Sequence, residues 1–302
     1  MENIQSSHKN KVIITVALTG GLHGKEANPN LPEQPDELIQ SALACREAGA
    51  AIVHIHARDK NGAPSGDPEI FREINEGIRA ESDMVIQDTT GGPSVPWEDR
   101  IKALDTGCEM ASLNMGSVHF FLKEMDQAKL DTLSPHMKGS KIVPFVNTRP
   151  EILTLAELML EKNVKPEMEV YNPSMLMEVE YLISTGLLQK PYYVNFVMGV
   201  TGMGGFKGDI QNLLMMQRLT PPECLINVTG IGPSQLTMNT TAILLGFNTR
   251  VGMEDNVYYK YRELAESNEQ LVKRVVRLAN ELEREIATPT EAREILGLKQ
   301  LS

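Results

Sequence analysis

The chain has 302 residues, 41% hydrophobic and 23% charged, a composition typical of a globular protein long enough to bury a full core. Its net charge of -11 argues against nucleic acid or an anionic membrane as partner, because both select an excess of Lys and Arg. Residues 1–10 form a polar tail without the apolar core of a secretory signal, no apolar run spans a bilayer, and Cys45, Cys108 and Cys224 lack metal-ligand spacing; buried thiols in a cytoplasmic protein are expected.

The first expected strand, Val12 to Leu18, is a β-branched run of the kind buried on both faces. It leads into Thr19-Gly20-Gly21 and a turn-rich loop through Asn28-Pro29-Asn30-Leu31-Pro32, in which His23 reads as exposed. Pro35-Asp36-Glu37 opens a helix with Leu38, Ile39, Ala42 and Cys45 on its apolar stripe and Gly49 at its end. The second strand, within Ala50 to Asp59, carries His54 and His56. A helix from Asp67-Pro68, a third strand from Met84 to Thr89, a helix from Pro96 to about Leu104 and a fourth strand from Glu109 to Asn114 follow. Pro144 places the run Ile142 to Val146 at an edge or outside the main sheet. A helix from Glu151 to Lys162 precedes the fifth strand, Glu167 to Tyr171, and a helix running to Thr185. The sixth, seventh and eighth strands are Tyr192 to Met198, Leu225 to Thr229 and Phe247 to Met253. Ser267-Asn268-Glu269-Gln270 has capping-box form ahead of a helix with Leu271, Val275, Leu278 and Leu282 on one stripe, and a closing helix starts near Thr290.

Strands alternating with helices imply right-handed βαβ units and a parallel sheet, and eight of them imply closure. A single-domain (β/α)8 barrel over residues 11–302 is expected, with an open doubly wound sheet as the alternative. Such a barrel carries its chemistry at the C-terminal ends of its strands.

The unusual residues sit at those ends. His54 and His56 alternate along a strand and so share a face, which is half of a metal site; the bland reading gives one imidazole to a loop carbonyl and the other to solvent. Glu254 and Asp255 can cap a helix, or, because an eighth strand closes near the second, one can complete a two-histidine, one-carboxylate shell with an open position. Arg250 has the parity of Glu254 and can hold an anion in the same mouth. Thr89, Thr90, Ser112 and Asn114 end neighbouring strands and are expected to line the opening. Glu169 shares a face with Glu167 and Tyr171, and if that face is luminal its carboxylate needs a partner or a task.

The motifs Leu18-Thr19-Gly20-Gly21, Asn28-Pro29-Asn30-Leu31-Pro32, Val53-His54-Ile55-His56, Thr90-Gly91-Gly92, Glu109-Met110-Ala111-Ser112-Leu113-Asn114, Arg250-Val251-Gly252-Met253-Glu254-Asp255-Asn256 and Ala287-Thr288-Pro289 together resemble the β-keto acid cleavage enzymes, in order, from Lys11 to Leu298. The resemblance implies a zinc-dependent (β/α)8 barrel, one Zn2+ per chain and a homotetrameric assembly. It implies that a β-keto acid and the cosubstrate acetyl-CoA give acetoacetate and a new acyl-CoA. It maps the metal ligands onto His54, His56 and Glu254, a catalytic arginine and aspartate onto Arg250 and Asp255, hydroxyl contacts onto Thr89 and Ser112, and an active-site glutamate onto Glu169. Members that accept an amino-bearing keto acid carry a glutamate where this chain has Leu22, so a substrate without a cationic amino group is expected. Gly230-Ile231-Gly232-Pro233 and Gly246-Phe247-Asn248 also depart from the family's pattern, at positions that bear on CoA and acyl contacts. Two rivals are a metal-dependent barrel hydrolase of the amidohydrolase kind and a non-catalytic metal or acyl-CoA binding barrel. The first expects its histidine pair on the first strand and further histidines, and His119 and His136 are poorly placed for that; Arg250 and Asp255 speak against the second.

Overall fold

The β-branched run after Lys11 becomes the first strand of a closed, all-parallel barrel in the computed structural model, which describes residues 10–93, 95–121, 142–200 and 202–301. The strands are β1 (Ile14–Ala17), β2 (Ile52–Ile55), β3 (Val85–Asp88), β4 (Met110–Asn114), β5 (Lys165–Val170), β6 (Tyr192–Met198), β7 (Cys224–Gly230) and β8 (Asn248–Val251). They neighbour one another in chain order, and β8 closes onto β1. The open-sheet alternative is therefore set aside. Nine of the expected tail residues, 1–9, and His136 lie outside the described residues. Ile142–Phe145 pairs with Val118–Phe121 in a separate small sheet outside the barrel, as Pro144 requires.

Helix ends follow local chemistry. Pro35–Ala48 starts with a Gln34/Glu37 capping box and ends at Gly49, whose φ of 113° suits a residue without Cβ. Arg149–Lys162 begins on a Thr148/Glu151 box. At Ser267 the expected box is half made: its hydroxyl accepts from Gln270 N–H, but the Gln270 side chain accepts from Glu266 instead. The helix expected from Pro96 is α-helical only over Trp97–Arg100 and tightens to a 3-10 turn over Ile101–Asp105, where the Arg100 side chain turns inward to the Thr90 carbonyl. Helices Ile210–Leu219 and Gln235–Leu244 fill the positions after β6 and β7. Among the described residues no helix is long and apolar enough to cross a membrane.

The lumen is layered. At its N-terminal end Ile13, Ile52, Val85, Met110 and Tyr193 pack with Ala287, Ala292 and Leu296, so the closing helix Pro289–Leu296 plugs the barrel floor. Above them the luminal positions turn polar: Glu167 accepts from Asn227 at 3.0 Å, and Thr229 donates to Asn195 at 2.9 Å. Cys45 and Cys108 are buried as expected, whereas Cys224 is half-buried because it begins β7 at the rim.

The floor plug is pinned by Arg293, which is 1% exposed. It donates to both Glu109 oxygens at 2.6 and 3.0 Å and to the carbonyls of Asp83 and Met84. Arg293→Ala leaves the Glu109 carboxylate with the longer Arg79 contact at 3.4 Å as its remaining cation and is expected to destabilise the fold by about 3 kcal/mol. Urea unfolding measures this; a loss below about 1 kcal/mol would show that the plug does not depend on the pair.

Candidate active site

A cavity of about 270 Å³ opens at the C-terminal ends of the strands. Strand alternation sends His54 into it, and His56, just beyond the end of β2, follows on the same side. The imidazole planes lie 70° apart with centroids 5.2 Å apart. Glu254 arrives from the turn after β8: its Oε2 lies 3.8 Å from His54 Nε2 and its Oε1 3.4 Å from His56 Nε2. Each of the three offers a ligand atom, all within 4.8 Å of one another, and among the described residues they are the one group of this kind found.

The turn is built for that approach. A Cβ on Gly252 would meet the Ala17 carbonyl oxygen at 1.9 Å, so β8 ends there and swings over β1. A Cβ on Gly20 would lie 2.7 Å from Glu254 Cγ, so this glycine makes room for the ligand side chain. Asn268 accepts from Met253 N–H at 2.8 Å and donates to the Leu18 carbonyl at 3.0 Å, while Asn28 donates to the carbonyls of Val257 and Ala265. The first and last loops are thus tied together around the acidic pair.

Arg250 sits at the centre of the charges, 4% exposed. It grips Asp255 through Nε (3.1 Å) and Nη2 (2.8 Å), meets Glu169 through Nη1 at 3.3 Å and pairs with Glu254. Burial pushes the Glu169 carboxyl up to about 8 despite Arg250, and burial likewise raises Asp255 against the pull of Arg250. For Glu254 burial is outweighed by the Arg250 guanidinium, with His56 adding to it, and the carboxyl is held below the ordinary carboxylate range. Burial, with Arg250 adding to it, pushes His54 down to about 3, so its ring is neutral. Its Nδ1 donates to Gln87 Oε1 at 3.0 Å, which leaves the Nε2 lone pair facing Glu254. Glu254 Oε2 is buried with no hydrogen-bond partner. A neutral His54 ring, the His56 imidazole and a carboxylate with an orphaned oxygen, all facing one point, match the donor set of a divalent cation with an open position.

The hydroxyl residues divide. Thr89 and Asn114 line the cavity, and Asn114 Nδ2 is a buried donor without a partner while its Oδ1 accepts from Tyr171 at 3.0 Å. Thr90 and Ser112, expected to line the opening, stand behind it. The Thr90 hydroxyl turns back to the Ser112 carbonyl at 2.5 Å, and Ser112 Oγ accepts from Thr90 N–H and meets Thr89 Oγ1 at 3.5 Å. His23 is half-buried on the cavity wall rather than exposed, because Arg58 binds the carbonyls of Gly20 and His23 and folds the loop inward. Leu22, Phe120, Phe145, Val200 and Ile231 make the remaining wall largely apolar. His119 lies in the small three-stranded sheet outside the barrel and is not part of the His54, His56 and Glu254 group. Sequence reading missed Gln87, Arg58 and the two phenylalanines. Gln87 carries a detectable signal, since it is the in-register neighbour of His54 on β3; Phe120 and Phe145 lie outside the βα pattern and carry none.

A model of the beta-keto acid cleavage enzyme family matches residues 11–298. A 3-keto-5-aminohexanoate cleavage enzyme of Fusobacterium nucleatum is 39% identical over 296 residues, covering 96% of this chain and 99% of its own. A 3,5-dioxohexanoate:acetyl-CoA acetone transferase of Paraburkholderia graminis is 36% identical over 302 residues, covering 96% and 97%. Among solved structures, apo ObcA shares the fold with a TM-score of 0.70 at 18% identity; the alignment covers 89% of this chain and spans 66% of that one.

Because Gln87 fixes the His54 tautomer from behind, Gln87→Leu is expected to weaken divalent-cation binding about ten- to a hundredfold while all three ligands stay in place. Competition against a chromogenic chelator reads this, and unchanged affinity would remove Gln87 from the site.

Proposed function

The chain belongs to the β-keto acid cleavage enzyme family, and on that premise we propose that it condenses a β-keto acid with acetyl-CoA, giving acetoacetate and the acyl-CoA of the remaining chain, with one Zn2+ held by His54, His56 and Glu254. The observation that carries this reading is the convergence of that ligand group with the Arg250–Asp255 pair in one cavity. Two nitrogens and one carboxylate with a vacant position suit zinc in a catalytic role. Bound there, zinc supplies a Lewis acid for the keto oxygen.

The chain's own residues supply the rest. Asp255 lines the cavity beside Glu254, oriented by two bonds from Arg250 and raised by burial toward a proton-accepting range, and it takes the C2 proton. The Asn114 amide and the Thr89 hydroxyl hold the substrate carboxylate, with Ser112 positioning Thr89 from behind. Glu169 closes the third side of the guanidinium and keeps Arg250 aimed at the reacting atoms. Leu22 and the apolar wall take an acyl group without a cationic amine. A homotetramer in the cytoplasm completes the reading; large apolar side chains on the outer helices, such as Met177 at 69% and Leu244 at 67% exposure, support subunit contacts.

A coupled assay of acetoacetate formation from acetyl-CoA over a panel of β-keto acids, with and without chelator, tests the reading. Activity abolished by chelator and restored by zinc is expected; no turnover of any panel member overturns it. Asp255→Asn is expected to keep its zinc and lose turnover about a hundredfold or more, and a fully active variant would dismiss the proton-accepting role. Leu22→Glu is expected to raise kcat/KM for amino-bearing keto acids, and an unchanged preference would mean that this loop does not touch the substrate.

A further inference from the structure

A second cavity, of about 420 Å³, lies at the other end of the barrel, beside the starts of β4 and β5. It falls in the size range of small-molecule sites, and the strand rise puts it on the order of 15 Å from the catalytic mouth. Lys165, the first residue of β5, is only 9% exposed and lines it. Its ammonium donates to the Gln189 carbonyl at 3.2 Å, and among the described residues it has no carboxylate partner. Glu109 is the carboxylate on this wall, and it is already held by Arg293 at 2.6 Å and Arg79 at 3.4 Å. A buried ammonium with donors to spare and no counter-ion is costly unless an anion completes it. Around it, Leu160, Leu187 and Leu298 make an apolar wall, backed by the fully buried Met159.

We propose that this cavity is a second binding site, for an aliphatic monocarboxylate whose head takes the open donors of Lys165 and whose chain lies along Leu160, Leu187 and Leu298. One buried ammonium matches one negative charge, and the apolar wall selects a hydrocarbon tail over a phosphate or a diacid. Burial pushes the Lys165 amine down to about 8, and a bound carboxylate favours its charged form. Binding is therefore level below that pH and weakens as pH rises above it, by about tenfold per unit. The other groups facing Lys165 are the Arg79, Lys162 and Lys299 cations, the Glu109 carboxylate and the Cys108 thiol, which burial pushes up. Lys162 is answered by Asp105 at 2.5 Å.

Calorimetric titration of octanoate into the zinc-loaded, full-length protein tests the site. One octanoate per chain is expected, bound at least about tenfold more weakly at pH near 9.5 than near 7. Lys165→Met, close in volume, is expected to weaken binding at least about tenfold with turnover unchanged, and Lys165→Gln is expected to do the same, so the test does not depend on one variant folding. His54→Ala, which disables the catalytic mouth, is expected to leave octanoate binding intact. Failure of the wild type to bind octanoate, equal binding by the Lys165 variants, or loss of binding in His54→Ala would each overturn the proposal.

Discussion

The mouth of this barrel depends on one buried guanidinium surrounded by acids. Arg250 is shut away from water, and its donors go to Asp255, Glu169 and Glu254. A buried charge is tolerated only when its partners are supplied by the fold. Here the partners come from β5 and from the turn after β8, so the barrel must close before the arginine is satisfied. With Glu169 pushed up to about 8 by burial, Asp255 and Glu254 still set two carboxylates against one cation and leave an excess of negative charge. The excess falls on the side of the two imidazoles, where the Glu254 oxygen has no hydrogen-bond partner, and a divalent cation placed there balances it. Structural and chemical demands thus meet in the same residue.

Closure also explains the spacing of the parts. The histidine pair and Glu254 lie about two hundred residues apart in the chain, yet β8, β1 and β2 are consecutive neighbours in the barrel. Only β1 separates the carboxylate turn from the histidine strand, and the two glycines at the crossing, Gly252 and Gly20, remove the side chains that would keep them apart. Below this layer the Glu167–Asn227 bond and the Thr229–Asn195 bond fill the lumen with paired polar groups. Lower still, the apolar plug seals the floor. The barrel is therefore polar and reactive at one end and dry at its centre of support.

What could be read from the amino-acid order follows from how local each signal is. The shared face of His54 and His56 is a property of any strand, and short apolar runs bounded by turn signals mark the strands, so the fold and the facing histidine pair were legible. The approach of Glu254 was legible only given closure, because nothing near it in sequence distinguishes a ligand from a helix cap. The orientation of Thr90 and Ser112 was not legible: each hydroxyl had a choice between the cavity and a neighbouring backbone group, and the backbone won. Helices Ile210–Leu219 and Gln235–Leu244 carried no clear apolar stripe, the second being interrupted by Asn239, Thr240 and Thr241. His23 and the phenylalanine wall are set by loop contacts, Arg58 on one side and the outer strand pair on the other, that no periodicity encodes.

Diffraction at the zinc absorption edge from crystals of the zinc-loaded protein addresses the site at the level of atoms. One anomalous peak per chain is expected, about 2.0–2.2 Å from the Nε2 atoms of His54 and His56 and from a Glu254 carboxylate oxygen, with at least one coordination position open to the cavity. A peak elsewhere, or none between these three side chains, would contradict this ligand set.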